Sequence, residues 1–524
     1  MYRFCSACIC MLLLIGSALV FAEKSSLTAF TVKKIRLSGV QDHPLQNISE
    51  NGLEVMINLW RQKNYPQKKL GLNQLDDLAY RVAKFYQDAG FSFVTAIVPK
   101  QKITRGVVFI QVKEDVLADI SVRNVSRDQR TMIVSEFKYM LGRPVFKPDL
   151  EEPILLLNDN PNREVFAYFS RGKNKGETRL NLNVKETQLN TLSLGVNNTG
   201  PKATGNNQWW CAANIKNPLG WNDAIKLNFN QSMSNENNVS GVLSYEKFKG
   251  SRESYSYNLS HNEYQLGEDL AVLELHGEYT SLGGRYKNKS VRTFSLSNSH
   301  VFSLDYRQSE LSSNVVSSNY DQKNSALVGA YQYVSTDYKV LLGDYITKSV
   351  QLSAVVITQD DDQLTDDAFL KFNGFFQSGQ NIGSYVPGLN SRFSSKLALQ
   401  YSVQTLPSAD KSSLTGRNGV RAFESGVFSA DESVVLQLKL SSGFRHALGN
   451  LEPFAFYDYA YGVRKANNEE IGAQLSGFGL GLVYTLSSWL KIDSSYAISQ
   501  KTKIGDLNKN RQSLFLISLE SQVF

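Results

Sequence analysis

From about residue 188 onward, apolar and polar positions alternate every second residue. Leu397, Leu399, Tyr401 and Val403 alternate with Lys396, Ala398, Gln400, Ser402 and Gln404. Ile225, Leu227 and Phe229 alternate with Lys226, Asn228 and Asn230, and Leu490, Ile492, Tyr496 and Ile498 with Lys491, Asp493 and Ser495. A period of two builds strands with one apolar and one polar face. Segments of about ten residues of this kind, parted by polar turns, are the pattern of a transmembrane barrel with lipid outside and water inside. In lipid only a helix or a closed barrel satisfies its own backbone, and this stretch has no apolar helix to spare. At that strand length, 188–524 accommodates about sixteen antiparallel strands. The stretch 265–320 divides ambiguously, so a direct count gives sixteen or seventeen, and even numbers are the rule in bacterial barrels. Pro201, Pro218, Pro387, Pro407 and Pro453 fall in loops or at strand ends, as an unbroken ladder requires. One polar segment, 407–430, interrupts the alternation and carries Val420-Arg421-Ala422-Phe423. In the last strand, Phe515, Ile517 and Leu519 share a parity that excludes Phe524, which predicts a bulge or a changed register between them.

The preceding part has a different period. Residues 30–40 alternate as a strand, and 48–63 and 72–88 read as amphipathic helices. Leu75, Leu78, Val82 and Phe85 fall on one helical face. Gly90 is placed to end the second helix, and 93–98 and 107–112 read as strands. The order then repeats: strand 120–125, helices 132–141 and 149–157, strands 165–169 and 180–184. Two βααββ units, 23–115 and 116–187, are therefore expected before the barrel, each burying two helices on a small sheet.

The amino terminus changes the compartment. Arg3, the apolar run 9–21 and Val20-Phe21-Ala22 before Glu23 read as a cleaved export signal, 1–22. Cys5, Cys8 and Cys10 leave with it, so Cys211 remains alone, as a packed thiol on the barrel wall. The histidines at 43, 261, 276, 300 and 446 have no ligand spacing, which argues against a zinc site. No nucleotide or nucleophile motif is present. The net charge of +7 is dispersed and does not point to nucleic acid. No cofactor and no metal are expected. The acidic stretch Asp360–Asp362 with Asp366 and Asp367 reads as a solvated loop in preference to a calcium site.

This layout resembles the TpsB transporters of two-partner secretion, the hemolysin-secretion and filamentous-hemagglutinin exporter branch of the Omp85 superfamily. The resemblance covers essentially the whole mature chain. Ala89-Gly90-Phe91, Ala96-Ile97-Val98-Pro99 and Gly106-Val107-Val108-Phe109 resemble the first periplasmic POTRA domain of that family. Leu155-Leu156-Leu157-Asn158-Asp159 and strand 176–184 resemble the second. Asn197-Asn198-Thr199-Gly200 and Asn217-Pro218-Leu219-Gly220-Trp221-Asn222-Asp223 are similar to its opening barrel strands. The superfamily loop pattern Val-Arg-Gly-aromatic stands here as Val420, Arg421, Ala422 and Phe423. The resemblance implies that this is the sixth extracellular loop, folded back into the pore. It also implies that Arg421 meets an aspartate in a Phe-x-Asp pattern on the wall, for which Phe456 and Asp458 are the match. Parity puts Phe456 and Asp458 on one face and Tyr457, Tyr459 and Tyr461 on the other. Gly477, Gly479 and Gly481 form a glycine stripe expected to leave room for the loop tip. Ala422 departs from the family's glycine, so glycine-only dihedrals are not required there. Some family members carry a plug helix before the first POTRA domain, for which 23–28 offers no length.

The resemblance implies an outer-membrane pore that receives an unfolded partner exoprotein in the periplasm and passes it to the surface without nucleotide hydrolysis. Its partners would be a large exoprotein with an N-terminal secretion domain, outer-membrane lipid, and the barrel-assembly machinery during biogenesis; it would act as a monomer. Strand addition at Phe93, Val94, Ala96 and Val98 is the candidate for cargo capture. An Omp85-type assembly factor is the alternative, usually with a longer POTRA array. A passive porin would not need the two units, and no Ser/His/Asp grouping supports a barrel enzyme.

Overall fold

The computed structural model describes residues 29–523 apart from 68, 187–189, 235–237, 314, 316–319, 340–343, 361–366, 383–389, 447–448, 467–468, 488, 506 and 509–510. The export signal, residues 23–28, the acidic stretch from 361 to 366 and Phe524 lie outside these. Two compact units are formed. One comprises residues up to Asp119 with 140–147 and 171–179; the other comprises 120–139, 148–170 and 180 onward.

In the first unit, Lys34–Ser38 pairs in parallel with Val107–Glu114, which pairs antiparallel with Val94–Ile97. Helices α1 (Glu50–Asn64) and α2 (Leu72–Asp88) cover this sheet. Ser49 caps α1, its hydroxyl accepting from the Gly52 N–H at 3.2 Å. Leu53, Ile57, Leu75, Leu78, Val82 and Tyr86 meet Ile35, Val108 and Ile110 in one core. Gly90, at φ +106°, ends α2. Its N–H donates to Gln87 O and that of Phe91 to Tyr86 O, a full Schellman closure.

The second repeat has the expected order with shifted bounds. Strand Val116–Arg123 precedes α3 (Arg127–Phe137) and α4 (Lys147–Asn158); Arg163–Arg171 and Glu177–Glu186 follow, with Glu177–Glu186 central in the sheet. Helix α3 starts five residues before the position that the apolar spacing predicts. Ser126 and Gln129 set that start by bonding reciprocally across the first turn.

The remainder closes into a sixteen-stranded antiparallel barrel. Its last strand, Ser513–Gln522, pairs with its first, Thr191–Asn197. The ambiguity over 265–320 has a simple cause: strands Leu275–Arg292 and Leu296–Ser313 are each 18 residues long, nearly twice the length assumed. The anticipated irregularity in the last strand is absent between Ser513 and Ser521, whose register against Leu490–Ile498 is unbroken. The period-two pattern sorts the two faces. Leu227, Leu282, Leu304, Leu399, Tyr401, Tyr461, Leu480 and Tyr496 are exposed on the outside. Cys211 shares the outward face of Leu227 and Phe229, being paired in register with Phe229.

Candidate functional site

Between strands Ser391–Ser402 and Glu432–Ser442 the chain turns into the lumen. Two short pairings give the returning loop its shape: Ser412–Ser413 lies against Ser429–Ala430, and Thr415 bridges Val420. Gly416, at φ +83°, adopts the left-handed turn that lets the Phe423 carbonyl accept its N–H. The Phe423 N–H donates to Val420 O, so Arg421 and Ala422 occupy the middle of a tight turn. Ala422 is not among the positive-φ residues, which explains why alanine is tolerated there.

Arg421 Nε and Nη2 donate to Asp458 Oδ2 and Oδ1 at 2.8 and 2.7 Å, and its backbone N–H adds a third bond at 3.0 Å. The guanidinium also lies over the Phe456 ring, 3.9 Å from its centroid. The Asp458 side chain is fully enclosed and that of Arg421 is 16% exposed. A carboxylate so enclosed needs a bidentate, charge-assisted partner, which Arg421 supplies. Val420, Ala422, Phe423 and Phe428 pack around the pair against Phe454, Phe456, Ala460, Ala473, Leu475 and Ala497.

The glycine stripe divides its work. Asp458 faces Gly477 in register, Phe456 faces Gly479, and Phe454 faces Gly481. A Cβ on Gly477 would stand 2.5 Å from the Ala422 Cβ and 3.4 Å from Val420 Cγ1, so Gly477 does leave room for the loop tip. At Gly479 and Gly481 the space is filled by the rings of Phe456 and Phe454. The expectation that all three glycines face the loop is corrected accordingly: the rings that support the tip lie between.

Strand Val94–Ile97 is an edge of its sheet, so its backbone is open to strand addition. The side chains singled out there are a different matter. Val94 is buried, and Ala96 and Val98 pack against the same core. Phe93 is half-buried. Alternation turns Val94, Ala96 and Val98 toward the helices, so strand addition here would rest on the backbone of the edge and not on these side chains.

Several contacts were not anticipated from the sequence. At the neck of the loop, Asp410 receives Arg307 Nη1 at 2.9 Å and Lys371 Nζ at 2.6 Å. Asp431, fully enclosed, accepts the N–H groups of Leu406 and Lys465 at 2.6 and 2.8 Å and pairs with Lys411 at 3.3 Å. Leu406 sits among Val328, Val355 and Phe369. The sequence signal for that seat is a failure of alternation: Leu327-Val328, Val355-Val356 and Phe369-Leu370 place apolar residues on both faces of the wall.

At the barrel rim next to the second repeat, Asp159 receives Arg292 Nε and Nη2 at 2.9 and 3.1 Å and Lys289 Nζ at 2.8 Å. Burial pushes the Asp159 carboxyl up, but the Arg292 and Lys289 bonds outweigh it and hold it below its ordinary value. Glu151 accepts the Phe294 N–H, and Glu152 pairs with Arg252 at 2.7 Å. Asp159 and Glu152 thus meet basic groups, and Glu151 a backbone N–H, at two hairpins of the rim.

Residues 176–484 match the family described as haemolysin secretion/activation protein ShlB/FhaC/HecB, more than half of the chain. The chain belongs to this family. Residues 30–115 match the ShlB-type POTRA domain. Among curated relatives of this ShlB/FhaC/HecB member, the heme/hemopexin transporter protein HuxB of Haemophilus influenzae (strain 86-028NP) is 24% identical, over 95% of this chain and 89% of that protein. The hemolysin transporter protein ShlB of Serratia marcescens is 22% identical, over 74% and 70%. Of solved structures, CdiB from Escherichia coli superposes with a TM-score of 0.68 at 17% identity, covering 96% of this chain and 93% of that one. BamA from Haemophilus ducreyi lacking POTRA domains 1–3 gives 0.54 at 15% identity, covering 94% and 100%, a likeness of fold. This ShlB/FhaC/HecB protein is an outer-membrane β-barrel transporter that secretes a partner exoprotein.

Proposed function

We propose that the partner is captured unfolded in the periplasm by the two βααββ repeats and threaded through the barrel as the loop at 407–430 yields. The observation that carries this reading is the loop itself. It lies in the lumen and is fastened by an ion pair and hydrogen bonds, which can open without any covalent step. No nucleotide is consumed and no reaction is catalysed; folding of the cargo outside draws the chain through. One copy of the protein suffices, inserted by the barrel-assembly machinery, with its repeats in the periplasm.

The test needs the partner exoprotein, to be sought first as a large exported protein encoded in a neighbouring reading frame. Deleting the transporter should trap that exoprotein in the periplasm, and supplying it in trans should return the exoprotein to the surface. Undiminished surface display without the transporter sinks the reading. A broad loss of other barrels from the outer membrane would instead favour an assembly factor.

A further inference from the structure

Three apolar side chains stand in a row across the inner wall. Val328 is paired in register with Val355, and Val355 with Phe369. Their sequence neighbours Leu327, Val356 and Leu370 are exposed on the outer face. A water-filled lumen gives no reason for such a row unless something covers it. Leu406, at the neck of the returning loop, covers it and is 1% exposed. Beside the row stand Arg307 and Lys371, which meet Asp410, whose side chain is 5% exposed. The Asp410 carbonyl also accepts from Gln400 Nε2 at 3.0 Å.

These contacts lie on strands Leu296–Ser313, Tyr320–Asp337, Tyr345–Asp360 and Ala368–Asn381, whereas the tip is held on Gly449–Ala466 and Glu469–Ser487. The loop is therefore fastened to two different arcs of the wall. The tip has the heavier fastening, with an enclosed carboxylate, three hydrogen bonds and a large apolar cluster. To its own arc the neck presents four apolar side chains and an ion triad in which Arg307 is 25% exposed, whereas the enclosed Asp431 ties the stem residues Leu406 and Lys411 to Lys465 on strand Gly449–Ala466. A cavity of about 710 Å³, lined in part by Thr405, Leu406, Pro407 and Lys411, borders the neck.

We propose that the neck seat, Leu406 on Val328, Val355 and Phe369 with Asp410 on Arg307 and Lys371, is a second latch that opens first. The tip lock is then the hinge about which the loop moves. This rests on the secretion reading for its purpose, but the latch itself is measurable without cargo.

In planar bilayers, Asp410→Asn should raise the ratio of open to closed time roughly tenfold to a hundredfold, the loss expected for bonds to a charged group. Arg307→Gln combined with Lys371→Gln should do the same, and adding Asp410→Asn to them should add little. Heat-modifiable migration of each variant establishes that the barrel is folded. In a Cys211→Ser background, Leu406→Cys with Val355→Cys, joined by a short thiol cross-linker cleavable by reductant, should suppress export of the partner exoprotein and release it on reduction. Wild-type channel behaviour in folded Asp410→Asn, or full export by the cross-linked protein, overturns the latch. Failure of the wild-type protein to export would overturn the secretion reading instead, leaving the bilayer result to stand on its own.

Discussion

Asp458 and Asp159 are both gripped by an arginine guanidinium through two bonds, yet they sit in opposite surroundings. Asp458 is fully enclosed within the barrel, beneath an aromatic ring and an apolar cluster. Asp159 is 20% exposed at the rim, and its second cation, Lys289, is itself partly exposed. Coulomb's law is the same at both places, but the effective dielectric is not. Inside, desolvation makes the pair brittle: either partner is costly without the other, and salt scarcely reaches it. At the rim the same chemistry is adjustable, because water and ions can take over part of each bond. One site is built to hold a conformation, the other to tune one.

The largest effect should come from breaking the inner pair. Arg421→Ala or Asp458→Ala leaves its partner stranded, at about 3–5 kcal/mol if the site stays dry. Either change should cut export of the partner exoprotein strongly while leaving membrane insertion intact. The double variant should be no worse than the singles, since coupled partners are non-additive. A double-mutant cycle on exported protein decides it; fully additive losses would mean that the two residues act separately. Charge reversal, Arg421→Asp with Asp458→Arg, should restore little, because the Phe456 face and the loop turn are shaped around a guanidinium on the loop.

A smaller and more specific effect is expected one residue away. Gly477→Ala would place a methyl 2.5 Å from the Ala422 Cβ and 3.0 Å from Ile498 O. Overpacking of this sort costs about 1–3 kcal/mol. Ala422→Gly removes the methyl that it meets, so the combined variant should recover most of the lost export. Absence of recovery would show that the Ile498 carbonyl, and not the loop tip, sets the need for glycine at 477.

The two carboxylates also differ in how visible they were beforehand. The inner pair was legible through the family resemblance, which implies that the loop arginine meets a wall aspartate; spacing alone would not have joined Arg421 to Asp458, and parity added only that Phe456 and Asp458 share a face. Barrel architecture was legible without it: period-two alternation is a local property that survives any loop length. Strand bounds in 265–320 were not, since 18-residue strands run beyond the lipid-facing band and lose their alternation signal outside it. The α3 start was written in Ser126 and Gln129 but masked by a weak apolar spacing. The rim node and the neck seat were not foreseen. Each joins segments more than 35 residues apart, Asp159 with Arg292 and Leu406 with Val328 and Phe369, with no periodicity to link them.

The smallest effect, and the one that most sharpens the contrast, is at the rim. Its bonds hold the Asp159 carboxyl below its ordinary value of 3.8. A folded value below the unfolded one means the stabilisation is complete above that ordinary value. It is lost as pH falls through the lowered folded value. With partial exposure the node contributes about 1–2 kcal/mol, and less in salt. Hydrogen-exchange protection across the turn from Arg292 to Leu296, corrected for intrinsic rate, should therefore drop below about pH 3.8 and in molar salt. Glu151 and Glu152 protonate nearby, so Asp159→Asn is the control: it should lower protection at neutral pH and flatten the acid response. The inner pair, read by protection of the segment around Arg421, should be indifferent to the same salt. Equal salt sensitivity at the two sites would mean that water reaches Asp458 as freely as Asp159, and the distinction between a holding site and a tuning site would fall.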